Sequence, residues 1–496
     1  MSTLPTSKSL ADHLRDWTNT LPWSEAARRY DSQARLALLS YGDEALLPIR
    51  IRRSRVAMKY FRLFAGLDWE HFPDRPFQKR WPDALPLACF VAAYLVKLDQ
   101  HFMSMEDVVC YLVDHPELAW ILGFPLGPRP LPWQVVLEVS LPTPRHWSRL
   151  LRNLPNEKLQ YLLDETVRLI RDELAWRVED FGQTISLDTK HVIAWVKANN
   201  PKAYVEDRFN KTNQPKGDPD CRLGCKRRHN QRTSKEPPAT PSTNPLPAKT
   251  IQVGEFFWGY ASGVVATKVS GWGEFVLAEL TQPFDRSDIS CFFPLMAATE
   301  RRLGFRPKYG ALDAAFDAFY IYEYFHLAGG FAAVPLVEKG KCKMRVFSED
   351  GLPLCAAGLP MPLKSTYMDR TTNLFEHERG QYVCPLHFPQ KTGEQCPIED
   401  PHWPKGGCKT TLATSLGARL RYQIDRKSEA YKQIYRQRTA TERINSQAVE
   451  IGIERPHIRN GSAIANHNTL IYILLNLRAL QRIRQRLATN VSTPAA

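Results

Sequence analysis

No stretch of the 496-residue chain reaches the ~18 to 20 uninterrupted apolar residues that cross a bilayer, and residues 1–16 lack the apolar run of a secretory leader. Lipidation signals and a polybasic tail are missing as well, so the expected location is cytoplasmic, with no membrane partner. Cysteine is scarce. Ten in 496 residues are too few for a disulfide-stapled secreted scaffold, and five of them fall between Cys342 and Cys408, which points to local chemistry and not to stapling. No internal repeat is visible, which removes solenoids and propellers. Acidic residues are outnumbered, 52 against 66 lysines and arginines, and the formal charge of +14 draws the chain toward a polyanion. The basic residues are spread over folded-looking segments, so nucleic acid is the expected partner ahead of an anionic membrane surface.

The length suggests roughly three domains. Residues 1–180 read as an all-helical N-terminal domain for DNA binding or dimerisation, with helical spacing in Leu85–Leu98, Met105–Leu112 and Leu159–Leu174. Pro142-Thr143-Pro144 would stop one helix and start another through His146, Trp147, Leu150 and Leu151, which fits either a helix-turn-helix or a helical hairpin inside a core. The pattern changes at QTISLDTKHVIAW, residues 183–195, where β-branched residues alternate as in a strand. Residues 181–338 continue with strands expected at Phe256–Val269, Phe275–Thr281, Tyr309–Asp313 and Phe331–Val337, and helices at Ile289–Leu303 and Ala318–Leu327. Within them, 199–249 is too rich in Pro, Asn, Lys, Arg and Ser to fold alone and reads as a disordered insertion. Residues 339–410 form a turn-rich, cysteine-bearing insertion. Residues 411–490 supply a basic helix over Arg426–Ile451 and a second over Ala463–Leu487 whose apolar half packs on the sheet. The fold class is α/β, a mixed sheet flanked by helices and preceded by the helical domain.

Three acids draw notice. Asp188 interrupts a β-branched strand, where a charge requires compensation, and Asp313 ends the strand YGALD, where open α/β sheets place ligand-binding groups. Glu442 lies in YRQRTATERINS on one helix face with Tyr435 and Arg438. Each has an ordinary reading too: strand-end aspartates are common, and Arg438 with Glu442 is also the spacing of a surface salt bridge. Together they suit phosphodiester chemistry, in which divalent ions about 3.5 to 4 Å apart balance charge on the attacking and leaving oxygens. Hard cations prefer such carboxylates.

The strand SLDTK, the segment GALDAAFD and Tyr435-x-x-Arg438-x-x-x-Glu442 resemble, in this order, the three signature regions of insertion-sequence DDE transposases. GDPDCRLGCKRR at 217–228, FWGYASG at 257–263 and YVCP…QCP…GCK at 382–409 are similar to the same family. The resemblance spans roughly residues 85–482. It implies an RNase H-like fold formed by 181–338 and 411–490, with Asp188, Asp313 and Glu442 as catalytic residues holding two Mg²⁺ or Mn²⁺ ions. Tyr435 and Arg438 would lie near the phosphate backbone. The implied activity is cleavage at the ends of a mobile element and strand transfer into target double-stranded DNA by a homodimer or larger assembly, in a prokaryotic, nucleoid-associated setting. A catalytically inactive DNA-binding derivative and an RNase H-like nuclease without strand transfer are the alternatives. Where the family often has a lysine seven residues after the glutamate this chain has Val449, so that DNA contact is lost or comes from Arg443 or Arg455. Asp317 is an alternative to Asp313, or the cap of the following helix.

Lys190 alternates onto the strand face of Asp188 and is a DNA-binding candidate, while His191 points away and reads as structural. The basic run from Arg419 to Arg443 reads as a DNA track or as a solvated face. Trp258 and Tyr260 are expected to pack within the sheet. Cys384, Cys396, His402 and Cys408, beside His387, offer enough soft ligands for a structural Zn²⁺ ion, with Cys342 and Cys355 as substitutes, although the spacing also suits unligated thiols. Cys221, Cys225 and His229 form a weaker set.

Overall fold

The computed structural model describes residues 25–76, 85–131, 134–226, 255–336, 345–370, 374, 376–398 and 400–491. Its helical layer opens with α1 (Glu25–Tyr41), α2 (Arg55–Phe64), α3 (Leu87–Asp99) and α4 (Met105–Asp114). Ser54 caps α2 by accepting the Ala57 N–H, and a reciprocal Ser104–Asp107 capping box starts α4, so both helix ends meet their orphan donors locally. α3 is apolar on nearly every face and is buried accordingly.

The expectation of an all-helical segment to residue 180 is corrected by an antiparallel hairpin, β1 (Leu126–Leu131) with β2 (Gln134–Val139). Prolines at 125, 128, 130 and 132 deny a helix there, and Gln-Val-Val-Leu-Glu-Val is β-branched enough to pair. A strand therefore precedes Pro142-Thr143-Pro144, and no helix ends at that point. The next helices are α5 (Pro144–Asn153) and α6 (Asn156–Leu174). His146, Trp147, Leu150 and Leu151 of α5 are all buried, and Trp147 stacks on Phe124 and meets Phe90 edge-on. That face is spent on the core.

The main sheet is built from β3 (Thr184–Ile193), β4 (Arg222–Lys226), β5 (Glu255–Val269), β6 (Gly273–Pro283), β7 (Tyr309–Leu312) and β8 (Phe331–Ala333), with α7 (Phe292–Leu303) before β7 and α8 (Phe319–Leu327) before β8. Its order is β4-β5-β3-β7-β8, with β6 also on β5. β3, β7 and β8 run parallel, while β5 is antiparallel to β3, β4 and β6. Part of the 199–249 stretch expected to be disordered thus supplies an edge strand, β4, and residues 227–249 of it lie outside the described residues. β8 stops at Ala333, two residues before Pro335, which cannot donate to a ladder; of the strand expected to Val337, residue 337 lies outside the described residues.

The insertion carries a second, antiparallel sheet of β9 (Leu363–Asp369), β10 (His377–Val383) and β11 (Lys409–Ala413). After it come α9 (Leu416–Gln423), α10 (Glu429–Tyr435), a 3-10 turn Arg436–Arg438, α11 (Thr439–Ile451) and α12 (Gly461–Val491). The single helix expected from Arg426 is therefore two helices joined by a tightened turn, and Ser428 opens the first by accepting the Tyr431 N–H. Gly452, at φ 102°, ends α11 in a left-handed conformation that suits glycine.

Alternation along β5 and β6 divides the apolar residues between two cores. Val264, Ala266 and Val276 face α11, α12 and the helical layer, whereas Val265, Phe275 and Leu277 face α7 and α8. Trp258 and Tyr260 are buried in the first core, as packing residues. Among the described residues no helix is long and apolar enough to cross a membrane.

Candidate active site

Parallel pairing of Leu187 with Leu312 sets Asp188 and Asp313 side by side, one residue further along neighbouring strands. The two leucines point into the core under α7 and α8, so the aspartates point to the opposite face, toward α11. Asp188 Oδ1 accepts the Thr189 N–H at 2.8 Å and Oδ2 accepts Asn445 Nδ2 at 3.2 Å. Asp313 starts a 3-10 turn and accepts the Ala315 N–H at 2.9 Å.

A third aspartate joins them. Asp288, in the 3-10 turn Asp288–Cys291 after β6, is itself raised by burial against the Thr189 side chain, and it raises the pKa values of both Asp188 and Asp313. Burial pushes Asp188 up to about 6, the neighbouring Asp313 and Asp288 push the same way, and the Thr189 N–H and Arg438 oppose them. Asp313 is raised first by burial and then by Asp288, against the Ala315 and Phe316 amides and Arg438. Sequence reasoning missed Asp288, because in FDRSDIS nothing distinguishes it from Asp285 until the chain folds.

Glu442 occupies the first turn of α11, 47% exposed, and pairs with Arg438 one turn earlier. Asn445, three residues on, is the residue that ties α11 to Asp188, and its buried Oδ1 has no hydrogen-bond partner. Asp188, Thr189, Lys190, Glu442, Asn445 and Arg455 line a common cavity of about 400 Å³. A larger cleft, about 660 Å³, lies between α7 and α8 and is lined mainly by aromatic and apolar side chains such as Phe293, Met296, Tyr320 and Tyr324. The smaller cavity brings Asp188 and Glu442 to one shared space, while Asp313 and Asp288 are not among its lining residues.

Three of the basic candidates near the cavity are already engaged, whereas Arg455 lines it directly. Lys190 Nζ meets Glu454 Oε2 at 2.9 Å, Arg443 meets Glu274 at 2.6 Å, and Arg438 lies 5.9 Å from the Tyr435 ring, which stacks on Tyr431. His191, lowered to about 4 chiefly by burial, packs 4.6 Å from Phe284. Asp317 does not cap α8. Its side chain, 1% exposed, accepts Arg421 Nε at 2.7 Å, Nη2 at 2.6 Å and the Tyr322 hydroxyl at 2.8 Å.

The soft ligands divide. The sulfurs that act on Cys408 are those of Cys384 and Cys355. Cys396 is half-exposed, and the His402 ring, 73% exposed, bonds Asp400 at 3.2 Å. Cys342 and His229 lie outside the described residues, Cys221 is buried with its thiol donating to the Asp218 carbonyl, and Cys225 is exposed. Among the described residues no three His, Cys, Asp or Glu side chains stand at ligating distance of one point. The donor chemistry of the aspartate site nevertheless suits a hard divalent cation: half-buried carboxyls raise one another's pKa values, and an added positive charge would reverse that penalty. No family model, curated protein or solved structure matches the chain.

Proposed function

We propose that the chain is a DDE transposase with an RNase H-like catalytic core, which cuts double-stranded DNA at element ends and joins the freed 3′-hydroxyl to target DNA. The observation that carries this reading is Asp188 in β3 with Asp313 directly after the parallel neighbour β7, and Glu442 lining a cavity in common with Asp188. The sheet supports it: taking β3, β5, β6, β7 and β8 as strands one to five, their order is 3-2-1-4-5 with only the second antiparallel, the arrangement expected of an RNase H-like core.

Asp188, Asp313 and Glu442 would hold two Mg²⁺ or Mn²⁺ ions, with Asp288 close enough to contribute. When bound, such ions neutralise the phosphate and favour the attacking water. Asn445 fixes the rotamer of Asp188, so that one carboxylate oxygen keeps its direction. Glu442 reaches the aspartates only by releasing Arg438, and the same release frees a guanidinium for a phosphate oxygen. Lys190 and Arg443 would likewise exchange Glu454 and Glu274 for backbone phosphates, with Tyr435 beside them. In the first step water adds to phosphorus, the P–O3′ bond breaks and the 3′-oxygen leaves as a hydroxyl. In the second, that 3′-hydroxyl attacks a target phosphodiester, a new P–O3′ bond replaces the target's own, and the target's 3′-oxygen takes the proton. Synapsis of two ends calls for a homodimer or larger assembly, acting at the nucleoid.

The test is a cleavage and joining assay on labelled DNA carrying the terminal repeats that flank the gene, in Mg²⁺ or Mn²⁺. A joined donor–target product is expected. Asp188→Ala, Asp313→Ala and Glu442→Ala should bind the ends without cutting them. Cutting without joining would indicate a nuclease, and binding without cutting by the wild type an inactive derivative.

A further inference from the structure

The sheet of β9, β10 and β11 has little to pack on. All of β9 except Asp369 is exposed, and among the described residues none from 345 to 413 belongs to an apolar core cluster. A unit this small and this poor in buried apolar surface needs a staple.

Sulfur is concentrated where such a staple would sit. Buried Cys384 follows β10, and Cys408 immediately precedes β11. Cys384 opens a tight turn, Cys-Pro-Leu-His, in which the His387 N–H donates to the Cys384 carbonyl at 3.2 Å. Gly407, at φ 75°, packs between the two: a Cβ there would stand 2.7 Å from Cys384 Cβ and 3.1 Å from His387 Cδ2. His387 Nε2 is buried with no hydrogen-bond partner, an orphan that native structures rarely leave without a ligand. Cys355 opens a second tight turn, with the Gly358 N–H on its carbonyl at 3.0 Å, and is close enough to act on Cys408.

We propose that Cys355, Cys384, His387 and Cys408 form a structural Cys₃His zinc site that pins both ends of the insertion's sheet to the turn at Cys355. The set differs from the one the spacing suggested: His387 and Cys355 stand in place of His402 and Cys396. No three of these side chains are at ligating distance of one point, so metal binding draws the thiolates and the imidazole inward by side-chain rotation, with loss of the thiol protons. The site stands apart from the aspartate cavity, and the inference does not depend on the transposase reading.

The experiment is metal analysis of the full chain purified without chelator. About one zinc ion per chain is expected, lost in Cys384→Ser and Cys408→Ser, reduced in Cys355→Ser and His387→Ala, and retained in Cys396→Ser and His402→Ala. Because the serine variants can fail to fold, the wild type is also loaded with Co²⁺ alone. Tetrahedral ligand-field bands and a thiolate charge-transfer band should appear, the latter falling by about one third in Cys355→Ser. Absence of both stoichiometric zinc and the cobalt bands in the wild type would overturn the proposal. So would loss of metal in Cys396→Ser or His402→Ala with retention in His387→Ala.

Discussion

Replacing Asp188 by Asn removes one of three crowded carboxyls while keeping its shape, and the structure predicts a more stable but inactive protein. With the carboxyl held near 6 against an ordinary 3.8, keeping it ionised above pH ~6 costs the folded chain about 3 kcal/mol. A folded pKa raised above the unfolded one means that this penalty is absent below pH ~3.8 and grows as pH rises to about 6. The amide also suits its neighbours. The Thr189 N–H still finds an oxygen, and if Asn445 turns its amide over, its buried Oδ1, which has no partner, accepts from the new Nδ2. Asp188→Asn should therefore raise the melting temperature by about 5 °C near pH ~8 without divalent ions, and by much less near pH ~4. Mg²⁺ should narrow the gap by stabilising the wild type and not the variant. Thermal unfolding by circular dichroism across this pH range, with and without Mg²⁺, reads all three outcomes. A variant less stable than the wild type near pH ~8, or equally stabilised by Mg²⁺, would refute the account of Asp188 as a carboxyl destabilised for cation binding.

Other consequences follow from the same geometry. Glu442→Gln should lower DNA cleavage by about a thousandfold or more with little effect on the melting temperature, because its side chain is nearly half exposed; single-turnover cleavage alongside thermal unfolding checks both halves. Arg421→Ala removes both guanidinium bonds to the buried Asp317 carboxylate and should cost about 3 kcal/mol in denaturant titrations. Asp317→Asn should still cut DNA, which the cleavage assay separates from the expected inactivity of Asp313→Asn. Glu279, on β6, is pushed up to about 7, first by burial, against hydrogen bonds from Thr469 and Gln160. Glu279→Gln should match the wild type in stability near pH ~4.5 and exceed it by about 3 kcal/mol above pH ~7, the sign expected for a carboxyl raised on folding.

Most of the sheet and its helices were legible in the sequence, because their signals are local. Alternation marked β5 and β6 to within a few residues, and apolar helical spacing marked α7, α8 and α12. The hairpin at 126–139 was missed: the prolines at 125, 128, 130 and 132 argue against a helix, but two six-residue runs are too short to announce a strand pair by periodicity. The break before Arg438 depends on how α10 and α11 dock, which no single turn of sequence encodes.

By itself the amino-acid order determined the positive charge, the acids at 188, 313 and 442, and the concentration of cysteine between 342 and 408. Tertiary structure alone decided that Leu187 pairs with Leu312, which brings two aspartates together across more than a hundred residues. It also set Asp288 near Asp188, joined Asn445 to Asp188, and brought Cys384 and His387 together around Gly407, one residue before Cys408. The physical reason is that register, burial and the field of neighbouring charges belong to surfaces in contact, and a linear order specifies those contacts only once the chain has packed.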